Sequence, residues 1–292
     1  MIDIGKKVEL LDPKIDYVFK RIFGEKGDED ILMSLINSIL KGNPTIKELE
    51  LLNTEYSKDG VISKGCRFDI LAKTSNNIKI NIEMQYYIDS NIKNRLIYYS
   101  DRLNVEEYKT GDKYDDKNVI SIWILANNIN DREEPISEIL PCFIKKGKDD
   151  YEVFNDNKRI ILLEIQKYKI TDENIKDLLT NWVNFLKTPE CLENSEIIKK
   201  KENIEVEKAL DKLEFMSKSD AEKYHIQSMI DYEKTHLGNL SSALKKGREE
   251  GLKEGEKNRS IQIAKNMLEK GLDIKLISEL SGLSLDEIEE LK

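Results

Sequence analysis

The chain has 292 residues, of which 39% are hydrophobic and 35% are charged, and its formal net charge is −9. This composition suits one large soluble domain with appendages and excludes a chain that is disordered throughout. The negative charge argues against a protein that coats nucleic acid through bulk positive charge, but it allows a local basic groove and carboxylates at a metal site.

The three cysteines, Cys66, Cys142 and Cys191, lie far apart and form no CxxC pair. They indicate neither a zinc site nor a disulfide framework, so a reducing cytoplasm is the expected location. The first residues, MIDIGKKVELLDPK, have no apolar run behind their charges. No stretch approaches the roughly 18 apolar residues of a membrane helix, so neither secretion nor membrane insertion is expected.

Two helices are predicted at the start of the chain. LDPKIDYVFKRIFG predicts a short helix with Asp12 as its N-cap, Pro13 at its first position and Gly24 at its end. DEDILMSLINSILKG predicts a second helix, which the following Gly-Asn-Pro sequence stops.

Strands dominate the next part of the chain. TIKELELLNTEYS, KGCRFDILAKT and NIKINIEMQYY predict three strands, and the short SNN connection makes the last two a hairpin. DSNIKNRLIYYSDRLNVEEY predicts a helix, and KNVISIWILAN predicts a strand that is covered on both faces. DYEVFN and KRIILLEIQKY predict two more strands, and TDENIKDLLTNWVNFLKT a helix. These elements predict an α/β domain over residues 1–190.

The remaining chain is charged and helical. Residues 191–258 predict solvated helices and a glycine-rich connector, in which Gly247, Gly251 and Gly255 recur every four residues. A close-packed helix pair and a flexible, weakly helical connector both remain open for these glycines.

Residues 259–292 predict three short helices, broken at Gly271 and Gly282, with Ser284 and Glu287 as a capping box. Two short helices joined by a glycine turn resemble a helix-turn-helix. The second of them, SLDEIEELK, is acidic and therefore suits a groove lined by phosphates poorly. A small packing or oligomerisation module is favoured over a DNA reader, so a homo-oligomer is one expected outcome.

The chemistry of the chain is expected in the hairpin. Alternation along INIEMQYY places Glu83 and Gln85 on one side of a strand, which by itself describes an ordinary solvated face. In GCRFDILA, alternation places Asp69 opposite to Phe68 and Ile70. If the hairpin pairs Asp69 near Glu83, two carboxylates and a carboxamide converge on one face of the sheet.

Two carboxylates placed close together are unfavourable unless a cation lies between them. Oxygen ligands beside an open face suit Mg²⁺, with Mn²⁺ as an alternative, and such an ion activates water and offsets charge on a phosphoryl group. The backbone carbonyl of Met84 is a further candidate ligand.

The spacing from Asp69 through thirteen residues to Glu83-Met84-Gln85 resembles the PD-(D/E)XK nuclease superfamily. LDPKIDYVFKRIFG, CRFDILA, INIEMQ and the glycine-rich charged C-terminus resemble more closely the Rpn family of recombination-promoting nucleases, also described as transposases. The resemblance covers about residues 10–170. It implies a restriction-endonuclease-like mixed sheet flanked by helices, with a helical C-terminal extension, and Mg²⁺-dependent DNA cleavage linked to recombination or mobile elements. It also implies that Asp69 and Glu83 bind the metal and that residue 85 lies beside the attacking water.

The chain departs from the superfamily pattern at Gln85, where the pattern has lysine. Glutamine hydrogen-bonds a water or phosphate oxygen but brings no charge, so a lower rate is expected. Lys20, Lys73 and Arg95 are candidates for the missing charge. Together with Arg102 they are also candidate nucleic-acid-binding residues, although Arg95 and Arg102 equally suit a solvated helix face.

Asp16 is a candidate third catalytic acid, because superfamily members often place one in the first helix. Its i to i+4 spacing from Lys20 also fits an ordinary ion pair on the helix surface. A second E-x-Q sequence, Glu164-Ile165-Gln166, has its nearest upstream acid, Asp156, in a turn and is interpreted as structural. The alternative to a nuclease is a non-catalytic nucleic-acid-binding or regulatory protein on the same fold.

Overall fold

The structure is a computed structural model that describes residues 9–56, 66–105, 118–139, 142–155, 157–171, 173–192 and 203–291. Asp156 and the N-terminal residues 1–8 therefore lie outside the described residues. The chain divides into two compact units, Met1–Lys223 and Tyr224–Lys292. The predicted domain boundaries at residues 190 and 258 stay predictions.

The strands described are β1 (Leu49–Leu51), β2 (Glu55–Tyr56), β3 (Cys66–Arg67), β4 (Ile70–Thr74), β5 (Lys79–Gln85), β6 (Val119–Leu125), β7 (Ile136–Ile139), β8 (Cys142–Lys145), β9 (Tyr151–Asn155) and β10 (Lys158–Glu164). Six of them form a mixed sheet in the order β1-β4-β5-β6-β10-β7. β6 runs parallel to both β5 and β10, whereas β1, β4 and β7 pair antiparallel with their neighbours. The predicted hairpin is confirmed as β4 and β5.

The helices described in the first unit are α1 (Asp16–Phe23), α2 (Glu29–Leu40), α3 (Ile92–Val105), α4 (Leu178–Lys187) and α5 (Ile204–Lys218). All residues of β6 are buried, as its apolar sequence predicts, so both faces of the sheet are covered there. On one face, Ile92 and Leu96 of α3 pack against Trp123 of β6. The other four helices pack together, with Phe23 of α1 against Trp182 of α4.

Both strands predicted before β5 are broken into two pieces. β2 and β3 pair with each other in a separate ladder, while β1 and β4 belong to the main sheet. At the break, Phe68 packs with Leu71, and its ring lies against Tyr99 of α3 at 5.4 Å. The prediction that Phe68 shares a face with Ile70 is therefore wrong, because the chain departs from alternation around Asp69.

The first helix begins later than the sequence predicts. Asp12 is not its N-cap: the Asp12 carboxylate accepts a hydrogen bond from Lys14 N at 2.9 Å, and its carbonyl accepts one from Ile15 N at 3.2 Å. These bonds close a turn, and α1 starts at Asp16. Gly24 ends the helix as predicted, since a Cβ there would lie 2.9 Å from the Lys20 carbonyl oxygen.

The remaining predicted elements agree with the structure to different degrees. α2 is confirmed, whereas α4 begins at Leu178, after turns that occupy part of the predicted helix. β7 and β8 were not predicted, because four residues are too few to show a reliable alternation.

Helix α6 (Asp220–Glu269) runs through 50 residues and continues into the second unit. Gly247, Gly251 and Gly255 lie within it, so they do not form an irregular connector. A Cβ added at any of the three would meet no atom within 4 Å in the part of the chain that is described. α6 is therefore one continuous helix, and no other described residue packs against its three glycines.

The second unit ends with α7 (Ile274–Ser281) and α8 (Leu285–Glu289), which pack with the end of α6 around Ala264, Ile277 and Ile288. The predicted breaks are confirmed: Gly271 and Gly282 have φ angles of 76° and 74°. The predicted capping box at the start of α8 is also present. No helix among the described residues combines the length and the apolarity needed to cross a membrane.

Candidate active site

The break before β4 places Asp69 against the end of β5. Asp69 Oδ2 accepts a hydrogen bond from Met84 N at 2.9 Å, and Glu83 Oε1 accepts one from Asp69 N at 3.3 Å. The Asp69 carboxylate thus takes the place of a strand partner for Met84. The structure brings together the two carboxylates that the hairpin suggests.

This side of β5 is not a solvated face. Every residue of β5 is buried, and the exposed fractions of Glu83 and Gln85 are 0% and 7%. Glu83 lies opposite Trp123 of β6, which α3 covers. The interpretation of this face as an ordinary solvated sheet surface is therefore wrong.

Burial gives both carboxyl groups unusual proton affinities. It raises the pKa of Asp69 to about 6, despite the opposing charge of Lys20. Burial, together with the charge of Asp69, raises the pKa of Glu83 well above its ordinary value. Glu83 Oε2 accepts no hydrogen bond of good geometry among the described residues, although the neighbouring Asn81 side chain acts to lower this pKa. The fold therefore disfavours the ionised forms of this carboxyl pair, which a bound cation would stabilise.

Lys20 connects Asp16 to this pair. Its Nζ lies 2.7 Å from Asp16 Oδ1 and 3.0 Å from Asp69 Oδ1. The Asp16 side chain is 50% exposed and that of Asp69 is 11% exposed. Asp16 is therefore both the ion-pair partner of Lys20 on the helix and a neighbour of the buried carboxylates.

The Gln85 carboxamide has a defined orientation. Its Oε1 accepts a hydrogen bond from Arg95 Nη1 at 2.9 Å, and its Nε2 donates one to the Met84 carbonyl at 3.2 Å. The Arg95 guanidinium carbon lies 5.2 Å from the centre of the Tyr99 ring and 5.7 Å from that of the Trp123 ring. These aromatic contacts were not predicted, because they depend on how α3 packs on β6.

The other two basic candidates lie farther along their elements. Lys73 stands opposite Lys79 in the hairpin, four residues along the chain from Asp69. Arg102 lies about two turns along α3 from Arg95. The structure therefore brings Lys20 and Arg95, but not Lys73, into contact with the residues around Glu83.

The residues at the site fit a hard divalent cation. No group of three or more His, Cys, Asp and Glu side chains comes together within the described ranges. Two carboxylates and a backbone carbonyl are nevertheless a donor set that Mg²⁺ accepts, because this ion keeps several waters. The Oε2 atom of Glu83, which accepts no hydrogen bond of good geometry in the described chain, is an acceptor in a place where a cation would stabilise it.

The comparison with protein families agrees with this geometry. A family model described as PD-(D/E)XK nuclease family transposase matches residues 13–240. The chain belongs to this family. Its six-stranded mixed sheet with flanking helices is accordingly of the restriction-endonuclease-like kind, as the sequence resemblance implies. Membership places the protein among nucleases linked to mobile elements.

A second family model, described as the C-terminal HTH domain of the Rpn/YhgA-like nuclease family, matches residues 257–292. This region contains α7 and α8, and the match supports DNA binding by this nuclease family member. It favours the helix-turn-helix alternative over the packing module that the acidity of α8 suggests. Searches of the curated proteins and of the solved structures gave no significant match.

Proposed function

We propose that the chain is a DNA endonuclease that depends on a divalent metal ion, with Mg²⁺ expected and Mn²⁺ as an alternative. The observation that carries the proposal is the buried pair of Asp69 and Glu83, which the break before β4 brings together and whose ionised forms the fold disfavours in the absence of a cation. A role in DNA recombination or in mobile elements, in the cytoplasm, fits the family and the cysteine content.

The carboxylates of Asp69 and Glu83 and the carbonyl of Met84 are the groups that would hold the metal. When bound, such an ion lowers the pKa of water and stabilises negative charge that develops on the phosphoryl group. The Met84 N–H bond keeps the Asp69 carboxylate in place, which favours a preorganised site.

Gln85 is the residue that would orient the attacking water, since its Oε1 retains a second lone pair beside the one that Arg95 uses. Lys20 partly neutralises Asp16 and Asp69, and the third N–H of its ammonium group would serve a phosphate oxygen. Asp16 acts in this scheme by positioning Lys20.

DNA would be held by basic groups at and around the site. Lys20 and Arg95 lie beside the carboxylates, and Lys73 and Arg102, farther along the hairpin and α3, would add contacts to the DNA backbone. Contacts of this kind to phosphates position a duplex without reading its sequence.

The second candidate function is non-catalytic or regulatory DNA binding, which the match of residues 257–292 to an HTH domain favours. In that case the nuclease fold would retain its shape without cleaving. This candidate predicts sequence-selective, salt-dependent binding with no strand scission.

Incubation with supercoiled plasmid in Mg²⁺, Mn²⁺ or EDTA tests the proposal. Nicking that requires the metal and is lost in both Asp69→Ala and Glu83→Ala, but kept in Glu50→Ala, would support it. Glu50 lies exposed on β1 of the same sheet and controls for the loss of an acidic group. No nicking by folded protein, and no Mg²⁺ or Mn²⁺ binding by calorimetry, would support the binding protein.

A further inference from the structure

Gln85 stands where the PD-(D/E)XK pattern has lysine, and its closest cationic neighbour is on another element. Arg95, in the first turn of α3, donates from Nη1 to Gln85 Oε1 at 2.9 Å. Among the described residues, Gln85 is the residue to which the Arg95 guanidinium donates a hydrogen bond. A neutral side chain and a cation therefore occupy together the region that one lysine would fill.

Two aromatic rings hold the Arg95 guanidinium in this position. Tyr99 lies one turn further along α3, and Trp123 lies on β6 opposite Glu83. Stacking on aromatic rings suits the planar, weakly hydrated guanidinium better than an ammonium group. The arrangement orders Arg95 before any substrate binds.

The other cations at the site are less suited to this task. Lys20 is bound to Asp16 and Asp69, and Lys73 lies farther along the hairpin. Arg95, in contrast, contacts residue 85 directly, and its guanidinium lies beside the ring of Trp123, the strand neighbour of Glu83. Arg95 is thus the cation in contact with residue 85, next to the strand pair of Glu83 and Trp123.

We propose that Gln85 and Arg95 together replace the lysine of the superfamily pattern. Gln85 presents its carboxamide to the attacking water, and Arg95 is a positioning residue that fixes this carboxamide and supplies the positive charge. The inference rests on the proposed endonuclease function of the same site.

The experiment compares full-length wild type with Arg95→Gln, Arg95→Lys, Gln85→Lys and the double variant Gln85→Lys/Arg95→Gln. Lys93→Gln is the matched control, because Lys93 is an exposed cation on the same helix. Plasmid cleavage under single-turnover conditions gives the rate constant, calorimetry gives the Mn²⁺ affinity, and thermal melting shows that each variant folds.

We expect Arg95→Gln to lower the cleavage rate about a hundredfold, comparable to the loss of one preorganised donor. Its Mn²⁺ affinity should stay the same or increase, because a neighbouring cation has been removed. The double variant should recover about tenfold over Arg95→Gln, since the lysine introduced by Gln85→Lys restores the charge. Arg95→Lys should retain more activity than Arg95→Gln, and Lys93→Gln should cleave like wild type.

Three results would overturn the inference while wild type cleaves: an Arg95→Gln rate equal to that of wild type, no recovery in the double variant, or parallel losses of Mn²⁺ affinity and rate. Parallel losses would mean that Arg95 only supports the fold of the site. Wild type that binds DNA but does not cleave with any metal would overturn the proposed function as well.

Discussion

The two E-x-Q sequences of this chain lie at the ends of two parallel strands, yet their glutamates have different surroundings. Glu83 and Glu164 are both fully buried. Glu164 accepts hydrogen bonds from Ile129 N at 2.7 Å and from Lys167 Nζ at 2.8 Å. Glu83 accepts a longer bond from Asp69 N at 3.3 Å, and its Oε2 accepts no hydrogen bond of good geometry in the described chain.

If Glu83 is functional and Glu164 structural, as we propose, neither the tripeptide nor burial distinguishes the two kinds of carboxylate. A buried charge whose acceptors are all paired supports the fold, whereas one left beside a second carboxylate is a candidate for binding a cation. The glutamines differ in the same way: Gln85 is buried and bonded to Arg95, but Gln166 is exposed in a short 3-10 helix. Measurements that separate the two copies therefore test the proposed site.

The largest expected effect is on cleavage. Glu83→Ala and Asp69→Ala should lower the rate of plasmid nicking by about a thousandfold or more, because each removes a proposed metal ligand. Glu164→Gln should nick at the wild-type rate at a temperature where it is folded. Equal losses in Glu83→Ala and Glu164→Gln would mean that the different surroundings of the two glutamates do not distinguish a catalytic site from a structural one.

The next effect is on stability, with opposite signs for the two glutamates. Glu164→Gln should lower the free energy of unfolding by about 3 kcal/mol, because it leaves the Lys167 ammonium buried without its carboxylate. Glu83→Gln should raise the stability of the metal-free protein at neutral pH, since it removes a buried carboxyl group whose ionisation the fold disfavours but the unfolded chain allows.

Urea denaturation of metal-free protein measures both changes. If both Glu164→Gln and Glu83→Gln lowered the free energy of unfolding, the buried Glu83 carboxyl group would be stabilising the fold. This would contradict our interpretation of Glu83 even if cleavage behaved as expected.

A smaller effect is expected on the pH dependence of the free energy of unfolding. It should come from the site of Asp69 and Glu83 and not from Glu164. The pKa of Asp69 is raised from 3.8 to about 6, so the native state binds its proton more tightly than the unfolded chain. The contribution of this group to unfolding free energy therefore falls as pH rises through that window and stays low above it. The raised pKa of Glu83 extends the fall to higher pH.

Thermal melting of metal-free protein at about pH 5 and about pH 7 checks this sign, with Asp69→Asn showing a weaker dependence than wild type. Added Mg²⁺ should raise the melting temperature more at the higher pH, where the carboxylates are ionised. A larger metal effect at the lower pH would argue against binding by these groups.

The smallest expected effect concerns Lys73, on the same hairpin as Glu83. If Lys73 contacts one phosphate, Lys73→Ala should weaken DNA binding and reduce the salt slope by about one unit. The single-turnover cleavage rate at saturating DNA should not change. Fluorescence anisotropy over a salt series measures the slope, and Lys169→Ala, exposed just after the second E-x-Q, is the control. Equal slopes for both variants would remove Lys73 from the DNA surface.

The sequence by itself was sufficient for features that depend on neighbours along the chain. The hairpin of β4 and β5, the buried strand β6, the breaks at Gly271 and Gly282 and the cap at Ser284 all follow from local periodicity and turn chemistry. The resemblance of LDPKIDYVFKRIFG, CRFDILA and INIEMQ to a nuclease family was likewise visible in the sequence, and the comparison with family models confirmed it.

Only the tertiary structure decided which charges are compensated. The break at Asp69, the bond between Arg95 and Gln85 and the bond from Ile129 to Glu164 join residues from different elements. Strand alternation misplaced Phe68 for the same reason, because packing against Tyr99 of α3 overrides the local period. Hydrogen bonding and desolvation depend on groups that are distant in sequence, so the same tripeptide becomes a structural support in β10 and a candidate metal site in β5.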